Sequence, residues 1–496
     1  MQRKFTEQEQ IRRNKLEALI AKDINPFYSE FKPKNTSMEV KEQYDSFSKE
    51  ELADMETEIS VAGRIMMIRD QGKAAFVVLK DEFSTIQAYI RTDSIDERGQ
   101  FILSNLDMGD IIGVVGKAMK TNTGELSVRA SYIDIVAKAL RPLPEKFHGL
   151  TDIEERYRRR YVDLIVNEKT RSTFVNRTNI IKSIRNTLDS QGYMEVDTPI
   201  LSTIVGGAAA EPFLTHHNVM DMELSLRIAT ELHLKRLIVG GFEKVYEMGR
   251  IFRNEGISNK HNPEFTTIEI YEAYADMNRM IDITEEVISD AAMKSVGQLE
   301  ITYQETNISL KRPFKRIEMS DLVKEATGVD FNTIETFEEA VAVAKDKGIN
   351  VESHWTSKGH LLNAFFEEFG EKACTQPTFV TGYPVEVSPL AKLRKGSKEI
   401  TDRFELFIGG REYANGYAEL NDADDQYSRF ESQLKEKDAG NIETQDMDLD
   451  FIEALETGMP TTGGLGIGID RLVMLLTDSA SIRDVLLFPH QKPKND

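Results

Sequence analysis

The stretch KALRPLPEKFHGLTD, with two prolines and a glycine, separates two kinds of sequence. Proline fixes its own backbone and restricts its predecessor, so a strand or helix does not run through such a stretch, and the chain is expected to divide there. Before it, from about residue 58, come short β-forming runs: EISVAGRIMMIR, AAFVVLKD, TIQAYIRT, DIIGVVGKAMK and ELSVRASYIDIVA. Five such runs with Gly and Asp turns predict a small closed barrel. After it the elements lengthen and mix. RSTFVNRTNIIKSIRNTLDSQG reads as an amphipathic helix ended by Gly192, and YMEVDTPIL as a strand halted by Pro199. KVYEMGRIFRN and EFTTIEIYEAYA read as alternating strands, FELFIGGREYANG as a hairpin around Gly409 and Gly410, and TGGLGIGIDRLVMLLTD as a glycine-lined strand entering a helix. Antiparallel strands flanked by helices predict an α+β class, not a doubly wound parallel sheet. The 496 residues exceed one compact core. The expected organisation is a helical extension over 1–57, the barrel over 58–140, a linker over 141–160 and a larger domain over 161–496. In the extension, Ile11, Leu16, Leu19 and Ile20 recur at helical spacing with Arg12, Arg13 and Lys15 on the expected wet side. That helix either touches a polyanion or docks by its apolar stripe.

Against 83 Asp+Glu stand 62 Lys+Arg, a formal charge of −21, with the N-terminal third nearly neutral. This excludes a surface that attracts phosphate backbones everywhere, but not a local nucleic-acid site. The single cysteine, Cys374, rules out an internal disulfide and a Cys-rich zinc site. No apolar run at the start suits a signal peptide and none is long enough to span a membrane, so a cytoplasmic location is expected.

Chemistry concentrates in three stretches. In FRNEGISNKHNPEFTTIEIY, strand alternation puts Phe265, Thr267, Glu269 and Tyr271 on one face, with Arg253 at the end of the partner strand. Arginine's planar fork suits a phosphate, and His261 in a loop beside an aromatic ring suits a nucleotide; a wet sheet face with cross-strand pairs is the plainer alternative. In FELFIGGREYANGYAEL, a two-residue turn at Gly409-Gly410 sets position 407 against 412, so Glu405 and Glu412 lie diagonally on one face. Two such carboxylates plus substrate phosphates are the ordinary setting for Mg²⁺. Asn415 and Glu419 have the other parity in a regular strand, so either Gly416 breaks the strand or these two serve a different pocket. The third stretch spaces Gly464, Gly466 and Gly468 as G-x-G-x-G, which is not the dinucleotide fingerprint. Its glycines still permit close approach, and Asp470-Arg471 stand where a helix begins, a place suited to terminal phosphates.

In this order these stretches resemble the three motifs of class II aminoacyl-tRNA synthetases. The long helix, strand and Pro199 (about 173–201) match motif 1, FRNEGIS and HNPEFT (within about 244–274) motif 2, and GLGIGIDRL (within about 463–476) motif 3. GGAAA at 206–210, THHN at 215–218, EVSPLAK at 386–392, ANGYAELND at 414–422 and SIRDVLLFP at 481–489 are similar to the bacterial, lysine-specific family of that class, and the resemblance runs through nearly the whole chain. It implies an N-terminal OB-fold barrel followed by a class II catalytic domain on an antiparallel sheet. It implies ATP-dependent attachment of L-lysine to tRNA(Lys) through lysyl-adenylate, by a homodimer built through motif 1. Carried over position by position, Arg253 and Arg471 are catalytic, and ATP is held by both together with Glu255, His261, Asn262, Phe265 and Glu405. Lysine lies against Gly207, Glu231, Arg253, Glu269, Tyr271, Asn415 and Glu419. Mg²⁺, with about three ions possible, sits on Glu405 and Glu412, and the anticodon meets Arg64, Phe76, Gln87 and Glu125. From the residues alone, Phe76 is either core or a stacking platform.

The chemistry is coherent, since an ammonium on a long stem requires a carboxylate at its far end and three glutamates supply it. Two positions depart from the family pattern, Glu211 after GGAAA and Ser225 before LRIA. Arg156, Arg158, Arg159 and Arg160 either face tRNA or ATP or pair with acidic groups. His216 and His217 lack a third metal ligand. An aspartyl or asparaginyl enzyme of the same class would need a cationic pocket, and a non-enzymatic single-strand binder would leave Arg253, the paired glutamates and motif 3 without a purpose.

Overall fold

The computed structural model describes residues 4–493 except 145–149, 151, 209 and 442–443. Part of the expected linker, Ala209 of GGAAA and the last residues of the tail lie outside the described residues. The chain forms two compact units, Met1–Thr151 and Asp152–Asp496.

In the first unit, helix α1 (Glu7–Ala21) precedes strands β1 (Glu58–Asp70), β2 (Ala74–Lys80), β3 (Thr85–Arg91), β4 (Ile111–Lys120) and β5 (Leu126–Ala137). They close a barrel in the order β1-β2-β3-β5-β4, as expected for an OB-fold. The strands form because their apolar residues alternate: Ala75, Val77 and Leu79 of β2 point inward, as do Ile86, Ala88 and Ile90 of β3. Burying each larger side chain contributes about 1.5–3 kcal/mol.

Helix α1 starts at a capping box between Thr6 and Glu9 and packs Leu19 into the barrel core. Its expected wet face is corrected at Arg12. That residue is buried and donates through Nη1 to the Ala139 carbonyl at 2.8 Å, whereas Ile11 and Ile20 are exposed. Lys15 pairs with Asp107 at 2.7 Å. The long stems of Arg12 and Lys15 cover apolar surface while their charged ends meet oxygens on the barrel.

The second unit contains α2 (Glu168–Asp189), β6 (Met194–Glu195), α3 (Glu231–Val239), β7 (Lys244–Phe252), β8 (Glu264–Ala273), α4 (Met277–Ser295), β9 (Lys315–Glu318), β10 (Thr378–Thr381), β11 (Arg403–Ile408), β12 (Arg411–Ala418), β13 (Thr462–Gly468) and α5 (Ile469–Leu476), among other short elements. Its eight-stranded sheet runs β9-β10-β11-β12-β13-β8-β7-β6, antiparallel except for the parallel pair at each edge. Ile184 of α2, Met280 of α4 and Leu472 of α5 share one core with Ile268 and Ile270 of β8 and Leu406 of β11. That face is dry, which leaves the polar side chains of the same strands to the opposite face. YMEVDTPIL is strand at Met194–Glu195, where it pairs with β7, and again only at Leu201, which opens a separate short strand past Pro199. Two arginines of the run, Arg156 and Arg160, pair with an acidic group inside this unit. Arg160 is fully buried, bonded to Asp163 at 2.8 Å and to the carbonyls of Arg483, Leu486 and Leu487, while Arg156 also reaches Asp163.

Candidate active site

On the polar face of the sheet lies a cavity of about 630 Å³. Strand alternation delivers Phe265, Thr267, Glu269 and Tyr271 of β8 to its wall, with Arg253 across the β7–β8 loop. The Arg253 amide donates to the Pro263 carbonyl at 2.9 Å, and its guanidinium carbon stands 5.3 Å from the centre of the Phe265 ring. Its Nε is buried without a hydrogen-bond partner among the described residues, a donor awaiting an acceptor. Glu255, His261 and Asn262 line the same end of the cavity. Asn262 is buried and donates to the Glu264 carbonyl at 2.6 Å, and His261 meets the Ser258 hydroxyl at 3.0 Å. Burial and the nearby Arg471 hold His261 below the usual histidine range.

Where β13 enters α5, Asp470 accepts from the Thr266 amide at 2.7 Å and pairs with Arg177 at 2.6 Å, fixing the helix start against β8. Arg471 therefore projects into the cavity, where Nη1 reaches the Glu412 carbonyl at 2.7 Å and the Glu412 carboxylate at 3.0 Å.

The β11–β12 hairpin resolves the parity question. Phe407 does face Glu412, but the register then shifts and Leu406 faces Ala414, so Tyr413 is the extra residue of a bulge. The shift sets Glu405 opposite Asn415 and carries Asn415, Tyr417 and Glu419 to the cavity beside Glu405 and Glu412. Gly416 does not break the strand, and no second pocket is needed. Burial, reinforced by the Glu412 charge and opposed by Arg403, pushes Glu405 up to about 7. Among the described residues no set of three or more His, Cys, Asp or Glu side chains could hold a metal alone. Two carboxylates beside room for phosphates fit Mg²⁺ shared with a nucleotide, and a dication there would relieve the crowding that raises Glu405.

The far end of the cavity is anionic. Glu269 accepts from the Thr230 amide at 3.0 Å and from the Tyr271 hydroxyl at 3.2 Å. Glu231 accepts from the Tyr417 hydroxyl at 2.7 Å and from Lys235, which is fully buried and also pairs with Glu419. Burial, then the charge of Glu231, pushes Glu269 up to about 7. Gly464 makes this crowding possible, since a Cβ there would lie 1.8 Å from Glu419 Oε1. Gly207 has φ +84° and donates its amide to Gln445 at 3.3 Å. Glu211 and Ser225 do not line the cavity.

On the barrel, Phe76 is half-buried outside the core, paired in register with Tyr89 at a ring separation of 4.9 Å. Gln87 shares that outer face and donates to Ser127 at 2.9 Å. Arg64 lies on the same face of β1 and is tied to the Gly109 carbonyl at 2.7 Å, and Glu125 is exposed just before β5.

Sequence reasoning passed over Tyr89, Lys235, Arg403 and Tyr417. Lys235 stands four residues after Glu231 on a helix, a pairing that spacing makes legible, but its burial between two glutamates depends on β12. Tyr417 sits midway between Asn415 and Glu419 on one strand face.

Residues 152–492 match the family model of class II tRNA synthetases (D, K and N), and residues 59–136 match that of the OB-fold nucleic acid binding domain. The chain is 54% identical to a lysine–tRNA ligase of Staphylococcus epidermidis over 496 residues, all of both chains. It is 55% identical to that of Staphylococcus haemolyticus over 497 residues, again all of both. The lysine–tRNA ligase of Enterococcus faecalis is 55% identical over 97% of this chain and 96% of its own.

Proposed function

This chain belongs to the class II tRNA synthetase family, and we infer that it joins L-lysine to tRNA(Lys) in two ATP-driven steps. The observation that carries the reading is the charge layout of one cavity: Arg253 and Arg471 at one end, Glu231, Glu269 and Glu419 at the other. Lysine has complementary ends, a carboxylate for Arg253 and an ammonium for the glutamates. An aspartate or asparagine side chain would meet carboxylates instead of a cation.

ATP would place its adenine against Phe265, with His261, Asn262 and Glu255 around it, its α-phosphate at Arg253 and its terminal phosphates at Arg471. The lysine carboxylate then attacks the α-phosphorus in line, forming a P–O bond as the bond to pyrophosphate breaks. No protein nucleophile is needed; the side chains position the reactants and stabilise charge that grows in the transition state. Mg²⁺ on Glu405 and Glu412 would neutralise phosphate charge when bound. In the second step the terminal tRNA hydroxyl attacks the lysyl carbonyl and AMP leaves.

The barrel supplies anticodon recognition in this reading. The half-exposed Phe76–Tyr89 pair offers a platform on which a base can stack, and Gln87, Arg64 and Glu125 stand near it for base edges. Exposed Val175, Ile200 and Leu201 in the motif 1 region support assembly through that segment into a homodimer. Among the described residues no helix is long and apolar enough to cross a membrane, and a cytoplasmic location suits a translation enzyme.

The test is charging of tRNA(Lys) with labelled lysine. The native protein should form acid-precipitable lysyl-tRNA, and Arg253→Ala should form none while still binding the tRNA. A native protein that charges no lysine would refute the reading.

A further inference from the structure

Arg403 on β11 has no assigned role in the scheme above, yet it touches both halves of the cavity. Its side chain is only 15% exposed. Nε donates to Asn415 Oδ1 at 3.1 Å and Nη2 to Glu405 Oε1 at 2.5 Å. Nη1 donates to the Val387 carbonyl at 2.5 Å and to Ser388 Oγ at 3.1 Å. The guanidinium carbon stands 4.5 Å from the centre of the Tyr383 ring, so stacking holds its plane. A guanidinium only donates, and this dictates how each partner must turn. Asn415 has to give its oxygen to Arg403, which leaves its NH₂ group for the cavity, able to donate to a carboxylate. Glu405 commits one oxygen to Arg403 and keeps the other for a different cation. Asn415 and Glu405 are paired across the β11–β12 ladder, so one fork can reach both.

We propose that Arg403 is a positioning residue that links the amino-acid subsite to the metal subsite, orienting Asn415 toward the substrate amino acid and Glu405 toward Mg²⁺. The proposal rests on the lysine-activation reading above. A lysine at this position would keep the charge but lose the fork that holds two partners at fixed angles.

Two binding measurements independent of turnover test it: calorimetric titration of L-lysine without ATP or metal, and Mn²⁺ binding, followed by electron paramagnetic resonance, in the presence of a non-hydrolysable ATP analogue. Loss of a residue that orients ligating groups typically costs about 10- to 100-fold in affinity. Arg403→Lys should therefore weaken L-lysine and Mn²⁺ binding together by about that factor, while metal-free affinity for the analogue stays near native. Weakening of only one ligand, or of neither, overturns the link. Equal loss for the analogue and a large fall in melting temperature would mark Arg403 as merely structural and overturn it too. Should Arg403→Lys fail to fold, Glu405→Ala decides, because it removes one anchor of the guanidinium but no group assigned to lysine. Its metal-free affinity for L-lysine should fall, and an unchanged value contradicts the proposal. A native protein that binds no L-lysine would instead refute the reading of the site.

Discussion

At Glu269, burial and the charge of Glu231 push the carboxyl up to about 7. An acid whose pKa is raised is neutral below that value and anionic above it, and only the anion complements an ammonium. L-lysine affinity, measured by calorimetry without metal so that Glu405 does not enter through Mg²⁺, should fall as the pH drops from about 8 to about 6. In Glu269→Gln that dependence should weaken to the share carried by Glu405 and Glu419, and the affinity should be low throughout; a native affinity independent of pH would contradict the assignment. Burial pushes the Glu419 carboxyl well above the usual range too, but Glu419 differs in that Lys235 already pairs with it. Glu419→Gln takes a carboxylate from both Lys235 and the substrate, at a cost of about 2–5 kcal/mol for truncating a buried charge pair. It should reduce lysine-dependent exchange and lower the melting temperature together, and an unaltered melting temperature would argue against the buried pair. These roles are only partly legible in the sequence. The glutamates are named by motif, but that Lys235 balances two of them requires Glu419, just past the end of β12, to be brought against Lys235 of α3, which no local spacing encodes.

At the scale of elements, the face shared by Phe265, Thr267, Glu269 and Tyr271 was readable because strand periodicity is local and has period two. The β11–β12 hairpin was readable at its turn but not beyond it. The bulge at Tyr413 buries that ring in the core while keeping Asn415, Tyr417 and Glu419 on the cavity side, so it answers to packing that lies outside the strand's own sequence. Helix α1 shows the same limit, since the residues facing the barrel include Arg12, whose partner is the distant Ala139 carbonyl. For the barrel, Phe76 lies outside the buried core, so Phe76→Ala should fold with native circular dichroism. It should lose one base-stacking contact worth about 1–3 kcal/mol. That corresponds to roughly 5- to 150-fold weaker aminoacylation through tRNA binding, at about 1.4 kcal/mol per tenfold. A folded Phe76→Ala protein that binds the tRNA as well as native would show that the anticodon meets another surface.

For the whole molecule, the proposed function places recognition of tRNA in one compact unit and the chemistry in the other. Phe76→Ala should leave adenylate formation near native, and Arg253→Ala should abolish it while leaving tRNA affinity largely intact. Assembly is a second property at this scale: residues 173–201 should be covered by a second copy, and light scattering should report twice the chain mass of 56.3 kDa. A fully active monomer would contradict the dimer. In the proposed function the anionic cavity end selects the lysine ammonium. The most direct test of that selection is ATP–pyrophosphate exchange measured with each common amino acid in turn, without tRNA. Lysine alone should support exchange at a rate far above background, and robust exchange with aspartate or asparagine in place of lysine would contradict that selection.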